Sequence, residues 1–160
     1  MLKRLRLKNI LVTALCAGSV IEGVHAAEHS KAEVNAAFIL GNLDGRTAFL
    51  IECADYDRDN ADSYADIMSR YVEENKNLAD RVMTIMRIEY FRTGRTLEDL
   101  SKFLSDGKKR GAEKLRKQRQ DDPNFLNDCR KHLETYKAGL SVYRLRQKFP
   151  VQMRVIDDWK

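Results

Sequence analysis

From Tyr64 to Tyr90 the side chains of Tyr64, Ile67, Met68, Tyr71, Leu78, Val82, Ile85, Met86 and Glu89-Tyr90 recur at steps of three and four or their sum. That period lines one face of a helix and does not suit a half-buried strand, whose side chains change face at every residue. The pattern predicts a long amphipathic helix over about Ser63 to Thr93. A single apolar stripe cannot bury itself, so the rest of the chain has to supply helices that cover it.

Several start and stop signals provide them. Ser30-Lys31-Ala32-Glu33 has the spacing of a capping box, in which hydroxyl and carboxylate satisfy reciprocal backbone donors, and it predicts a first helix from Lys31 to about Leu40. Gly41-Asn42-Leu43-Asp44-Gly45 is rich in turn formers and predicts a break. A second helix then resumes near Thr47 and buries Phe49, Leu50, Cys53 and Tyr56. Beyond the long helix, Gly94 supplies a stop, and Thr96 with Asp99 starts a fourth helix carrying Leu97, Leu100, Phe103, Leu104 and Leu115. Gly107 and Gly111 weaken its second half by roughly 1 kcal/mol each against Ala.

Asp122-Pro123 predicts a fifth helix, with Asp as N-cap and Pro at the first position, running to about Lys148. Along it Leu126, Cys129, Leu133, Tyr136, Leu140 and Tyr143 form a narrow seam, and Pro150 is expected to close it. The tail alternates Val151, Met153 and Val155 with polar residues, which leaves strand, extended strap and helical turn open.

Residues 1–26 have another character. Lys3, Arg4, Arg6 and Lys8 precede an uncharged run from Ile10 to Ile21, and Val24-His25-Ala26 places small residues at both ends of a triplet. This is the layout of a cleavable export signal, with Ala27 as the new N-terminus. The run is 12 residues long, whereas a helix crossing a bilayer needs about 20 apolar residues. The expected organisation is therefore a signal peptide over 1–26 and one mature domain over 27–160, working in the periplasm or outside the cell.

Cys16 leaves with the signal, and an oxidising compartment would join the remaining pair, Cys53 and Cys129. The loop so closed is worth about 4 kcal/mol in the chain-entropy account. Both cysteines end the string F-L-x-acid-C, at 49–53 and 125–129, but the match goes no further. Two helices presenting the same surface around one bridge account for it more simply than a duplication does.

Charge is unevenly placed. The +5 of the whole chain falls to +2 once four bases and one acid depart with residues 1–26. From Ala27 to Asp80 there are 5 basic and 12 acidic side chains, and from Arg81 to Lys160 there are 20 and 11. The molecule is expected to be an electrostatic dipole unless the fold interleaves its halves.

Three local patterns bear on chemistry. Asp55, Asp57, Asp59, Asn60, Ser63 and Asp66 stand at positions 1, 3, 5, 6, 9 and 12 of an inter-helix loop, as calcium ligands do in an EF-hand. Asn60 replaces the turn glycine, Asp62 the apolar position and Asp66 the bidentate Glu, so any site would be of low affinity, and a plain acidic loop capping the long helix accounts for the same residues. Lys108, Lys109, Arg110, Lys114, Arg116, Lys117 and Arg119, opposed by Glu113, form a basic stretch suited to an acidic protein or an anionic envelope surface, or to a solvated helix end. No aromatic lies between Phe103 and Phe125 for bases to stack on, so nucleic acid is not the expected partner. His132 follows Cys129 by one helical turn, but a disulfide would remove the nucleophile, which leaves His132 as a residue at the edge of the core.

The chain contains no C-x-x-C, H-E-x-x-H, G-x-S-x-G, P-loop or dinucleotide fingerprint. The expected fold is all-α, a single small domain of four to five helices in a bundle-like or orthogonal array, stapled by one disulfide. The expected function is an exported, non-catalytic protein-interaction domain, of the inhibitor, immunity or chaperone-like kind, without a cofactor. A cell-wall hydrolase is the alternative from another class, because paired carboxylates leave no spacing signature. A low-affinity calcium module is the third.

Overall fold

A computed structural model describes residues 29–138 and 144–160. The expected signal segment with Cys16, and the seam positions Leu140 and Tyr143, lie outside the described residues. Within them the chain is all-α: α1 (Lys31–Tyr56), α2 (Ala61–Arg92), α3 (Leu97–Asp121), α4 (Phe125–Lys137), α5 (Leu145–Lys148) and α6 (Pro150–Asp158), with a 3-10 turn over Arg58–Asn60.

α1 differs from the expectation of two helices. It runs unbroken through Gly41 and Gly45, because Ala36, Ile39, Leu43, Leu50 and Cys53 stay in helical phase and are all buried. Each glycine costs roughly 1 kcal/mol, and burying one leucine returns more than that. Asn42, expected in the turn, and Thr47, expected to restart a helix, both donate their side chains back within α1, to the Phe38 and Leu43 carbonyls. At the start, Ser30 Oγ accepts the Glu33 N–H at 3.1 Å as a cap should. The Glu33 carboxylate does not return the bond to the cap; it pairs with His29 and Arg95.

α2 matches its predicted span to within two residues. It is closed by Gly94 at a φ of 73°, a left-handed conformation open to glycine at little steric cost. Thr96 and Asp99 make both bonds of a capping box, and α3 continues past Gly107 and Gly111. The Asp122-Pro123 signal acts differently from expectation. Asp122 caps the C-terminus of α3 and its carboxylate accepts the Asn124 N–H at 2.8 Å, so the pair forms a turn and α4 begins at Phe125.

The expected fifth helix is also divided. α4 ends at Lys137, and Pro150 opens α6 in place of closing a helix, since at the first helical position its missing N–H removes no bond. The tail is thus helical. Arg81 of α2 holds it by donating to the Ile156, Asp157 and Trp159 carbonyls at 2.9, 3.1 and 3.0 Å. Those are the carbonyls that a helix end leaves without intrahelical partners.

Contacts fix the topology. The pairs Glu33–Arg95, Asp44–Lys108 and Glu52–Arg119 rise together along both segments, so α3 runs parallel to α1. Phe49 meets Phe125 and His132, and further back along α1 Phe38 meets Phe149, so α4 to α6 run antiparallel to α1. The result is an up-down-up-down bundle whose fourth member is broken into three pieces. Its core has two lobes. One gathers Ala36, Ile39, Tyr71, Val82, Ile85, Met86, Met153 and Ile156. The other surrounds the Cys53–Cys129 disulfide with Leu50, Tyr64, Ile67, Phe125 and Leu133.

Candidate functional site

α3 is fastened along one edge. Leu100 is buried, Leu104 packs on the core, and three ion pairs tie the helix line to α1: Arg95 to Glu33, Lys108 to Asp44 at 3.7 Å, and Arg119 to Glu52 at 2.7 Å. The basic stretch expected from sequence is therefore split by helix geometry. Lys108 and Arg119 turn toward α1 and hold the bundle. Lys109, Arg110, Lys114, Arg116 and Lys117 are exposed, and no acid among the described residues stands within ion-pair distance of them. They lie on the solvent side of α3, with Asp106 and Glu113 exposed among them.

The acidic loop is likewise divided. Asp57, its side chain 2% exposed, takes Arg130 Nε at 3.0 Å and Nη2 at 3.2 Å, together with the Asn60 amide and the Tyr64 hydroxyl. The Arg130 bond outweighs burial and holds the Asp57 carboxyl below its ordinary range. Asp66 pairs with Arg70 one turn on, whereas Asp55 and Asp59 are exposed. Among the described residues no three His, Cys, Asp or Glu side chains are grouped to hold a metal ion.

His132 packs its ring on Phe49, with centroids 5.0 Å apart. Burial, together with Arg46 of α1, Lys131 of α4 and Lys148 of α5, pushes its pKa down to about 4, so it is neutral at physiological pH. Cys129, one turn away, is disulfide-bonded and buried. Of the methionine and aromatic stripe of α2, Tyr64, Tyr71, Met86 and Tyr90 are core, and Phe91 is 60% exposed.

Sequence reasoning missed a polar knot at the end of the bundle that holds the start of α1. Two buried carboxylates, Glu33 and Glu89, sit there on neighbouring helices. Glu33 is closed by Arg95 and His29. Glu89 accepts from Trp159 Nε1 at 2.9 Å and Arg92 Nη1 at 2.8 Å. Burial alone would raise the Glu89 pKa, but bonds from Trp159, Ser30 and Arg92 leave it below its ordinary value. The available signal was Glu89 itself, a charge in phase with the apolar stripe near its C-terminal end. A shallow groove of about 310 Å³ lies elsewhere, between α2 and α5, lined by Glu74, Asn75, Leu78 and residues 144–147; Glu74 is its one carboxylate, in the company of Arg144 and Arg146.

No family model, curated protein or solved structure matches this chain. No helix among the described residues is long and apolar enough to cross a membrane.

Proposed function

We propose that this chain is an exported, non-catalytic interaction domain that engages an acidic protein surface through the solvent face of α3. The observation that carries this is the division of the basic stretch: Lys108 and Arg119 are used by the fold, while five further cations are held out on one helix with no ion-pair partner among the described residues. Long unpaired cations contribute little to stability, yet a surface on which they outnumber the acids steers and orients an oppositely charged partner. The buried carboxylates that a hydrolase would use are bonded to Arg95, Arg92, Arg130 and Trp159 within the fold, which favours binding over catalysis. Export rests on the leader-like segment and on the buried Cys53–Cys129 disulfide, a bond that persists in oxidising compartments.

The test replaces Lys109, Arg110 and Lys117 together by Glu, with an all-Arg version as control, and measures capture of partners from envelope extracts at low and high salt. The proposal expects capture that salt weakens, that the Glu variant loses and the Arg variant keeps. Capture indifferent to both salt and charge reversal would contradict it.

A further inference from the structure

The charges on the solvent face of α3 are ordered. Because α3 is one uninterrupted helix from Leu97 to Asp121, residues seven apart lie nearly in line at a spacing of about 10.5 Å. Lys102, Lys109 and Arg116 form one such row, Asp99, Asp106 and Glu113 the next, and Arg110 with Lys117 a third, all of them exposed. Across the face the sign therefore alternates basic, acidic, basic. Leu104 and Leu115 are partly buried on the inner side of the helix, and the exposed Phe103 heads the third row one heptad before Arg110.

This order discriminates among anionic partners. A phosphate or sulfate polymer presents negative charge alone, so the middle row of acids would repel it along the whole face. A lipid surface is gripped by basic helices that also insert apolar side chains between the cations; on α3 the exposed Leu97 and Phe103 lie in its first two turns, and no exposed large apolar side chain stands between Lys109 and Lys117. A second copy of the same face would set its two basic rows against their like. We infer that the partner of α3 is an α-helix of another protein, lying alongside and carrying exposed heptad rows in the complementary order: acidic, basic, acidic. Such a helix matches both the spacing and the alternation, as flanking charges do in paired helices. The inference rests on the acidic-partner proposal above and sharpens it.

The experiment uses isotope-labelled mature chain with its disulfide intact. Three probes are titrated by NMR: a 25-residue helical peptide of about that length with glutamates in two heptad rows flanking a lysine row, a peptide of the same composition with those positions permuted, and a heparin oligosaccharide. The expected result is perturbation of α3 amides by the patterned peptide, with binding about tenfold tighter than for the permuted one. K109E/R116E removes the preference, and D106K/E113K moves it from the patterned peptide to heparin. Equal affinity for patterned and permuted peptides, or tighter binding of heparin to the unaltered chain, overturns the helix inference and leaves the acidic-partner proposal standing. Failure of all three probes to perturb α3 overturns both.

Discussion

His132 and Asp57 respond to acid in different windows. His132 is held neutral, with a pKa pushed down to about 4 against 6.5 in an unfolded chain. Between those values the unfolded chain takes up a proton that the folded one refuses, so stability falls as pH drops from 6.5 to about 4 and then levels. Allowing for solvent screening of a ring that is not fully enclosed, the loss is about 1–2 kcal/mol. Urea midpoints taken across that range should show this leg, and His132→Gln should lack it. Asp57 acts lower. Its folded pKa is depressed, so its contribution is complete above the ordinary carboxylate range and is lost as pH falls through the folded value. Asp57→Asn leaves Arg130 without its anion and should lower stability by about 2 kcal/mol at neutral pH, an effect that shrinks as the pH falls through the folded pKa. Asp57 was visible in the sequence as one of a row of acids. Its tie to Arg130, 73 residues away, was not, because an ion pair between distant elements leaves no period to read.

At the scale of elements, local signals were legible where the chain itself supplies both partners. The Thr96–Asp99 capping box and the Gly94 stop are of that kind, and both stand where the sequence places them. The continuity of α1 was misread because turn propensity over Gly41–Gly45 was weighed without the burial of Leu43 between flanking core positions, a tertiary term that outweighs it. The seam of α4 was legible, whereas its end was not, since Pro150 fits an opening as well as a closing. The glycines give a direct check. A Cβ at Gly45 meets nothing within 4 Å and the backbone there is helical. Gly45→Ala should therefore stabilise by about 0.5–1 kcal/mol, read as a rise in Tm. Gly94→Ala, at φ 73°, should lower stability by about 1 kcal/mol or more.

Over the whole molecule, the charge asymmetry seen in the sequence is partly consumed by folding. The ion pairs Glu33–Arg95, Asp44–Lys108, Glu52–Arg119 and Asp57–Arg130 each join the acidic half of the chain to the basic half. What remains unpaired on α3 is the surface offered outward. The basic stretch was legible as composition; which of its members hold the bundle and which face solvent required the parallel run of α1 and α3. The disulfide fastens the far end, and its reduction should lower stability by about 4 kcal/mol, measurable as a shift of the urea midpoint in reductant.

The division of labour along α3 is tested most directly by denaturing two variants in urea and following their capture of partners in parallel. With Lys109, Arg110 and Lys117 changed to Glu, the midpoint should stay within about 0.5 kcal/mol of the parent while capture disappears. With Lys108 and Arg119 changed to Glu, the midpoint should fall. A triple variant that still captures its partner, or that unfolds as readily as the double one, would contradict the account.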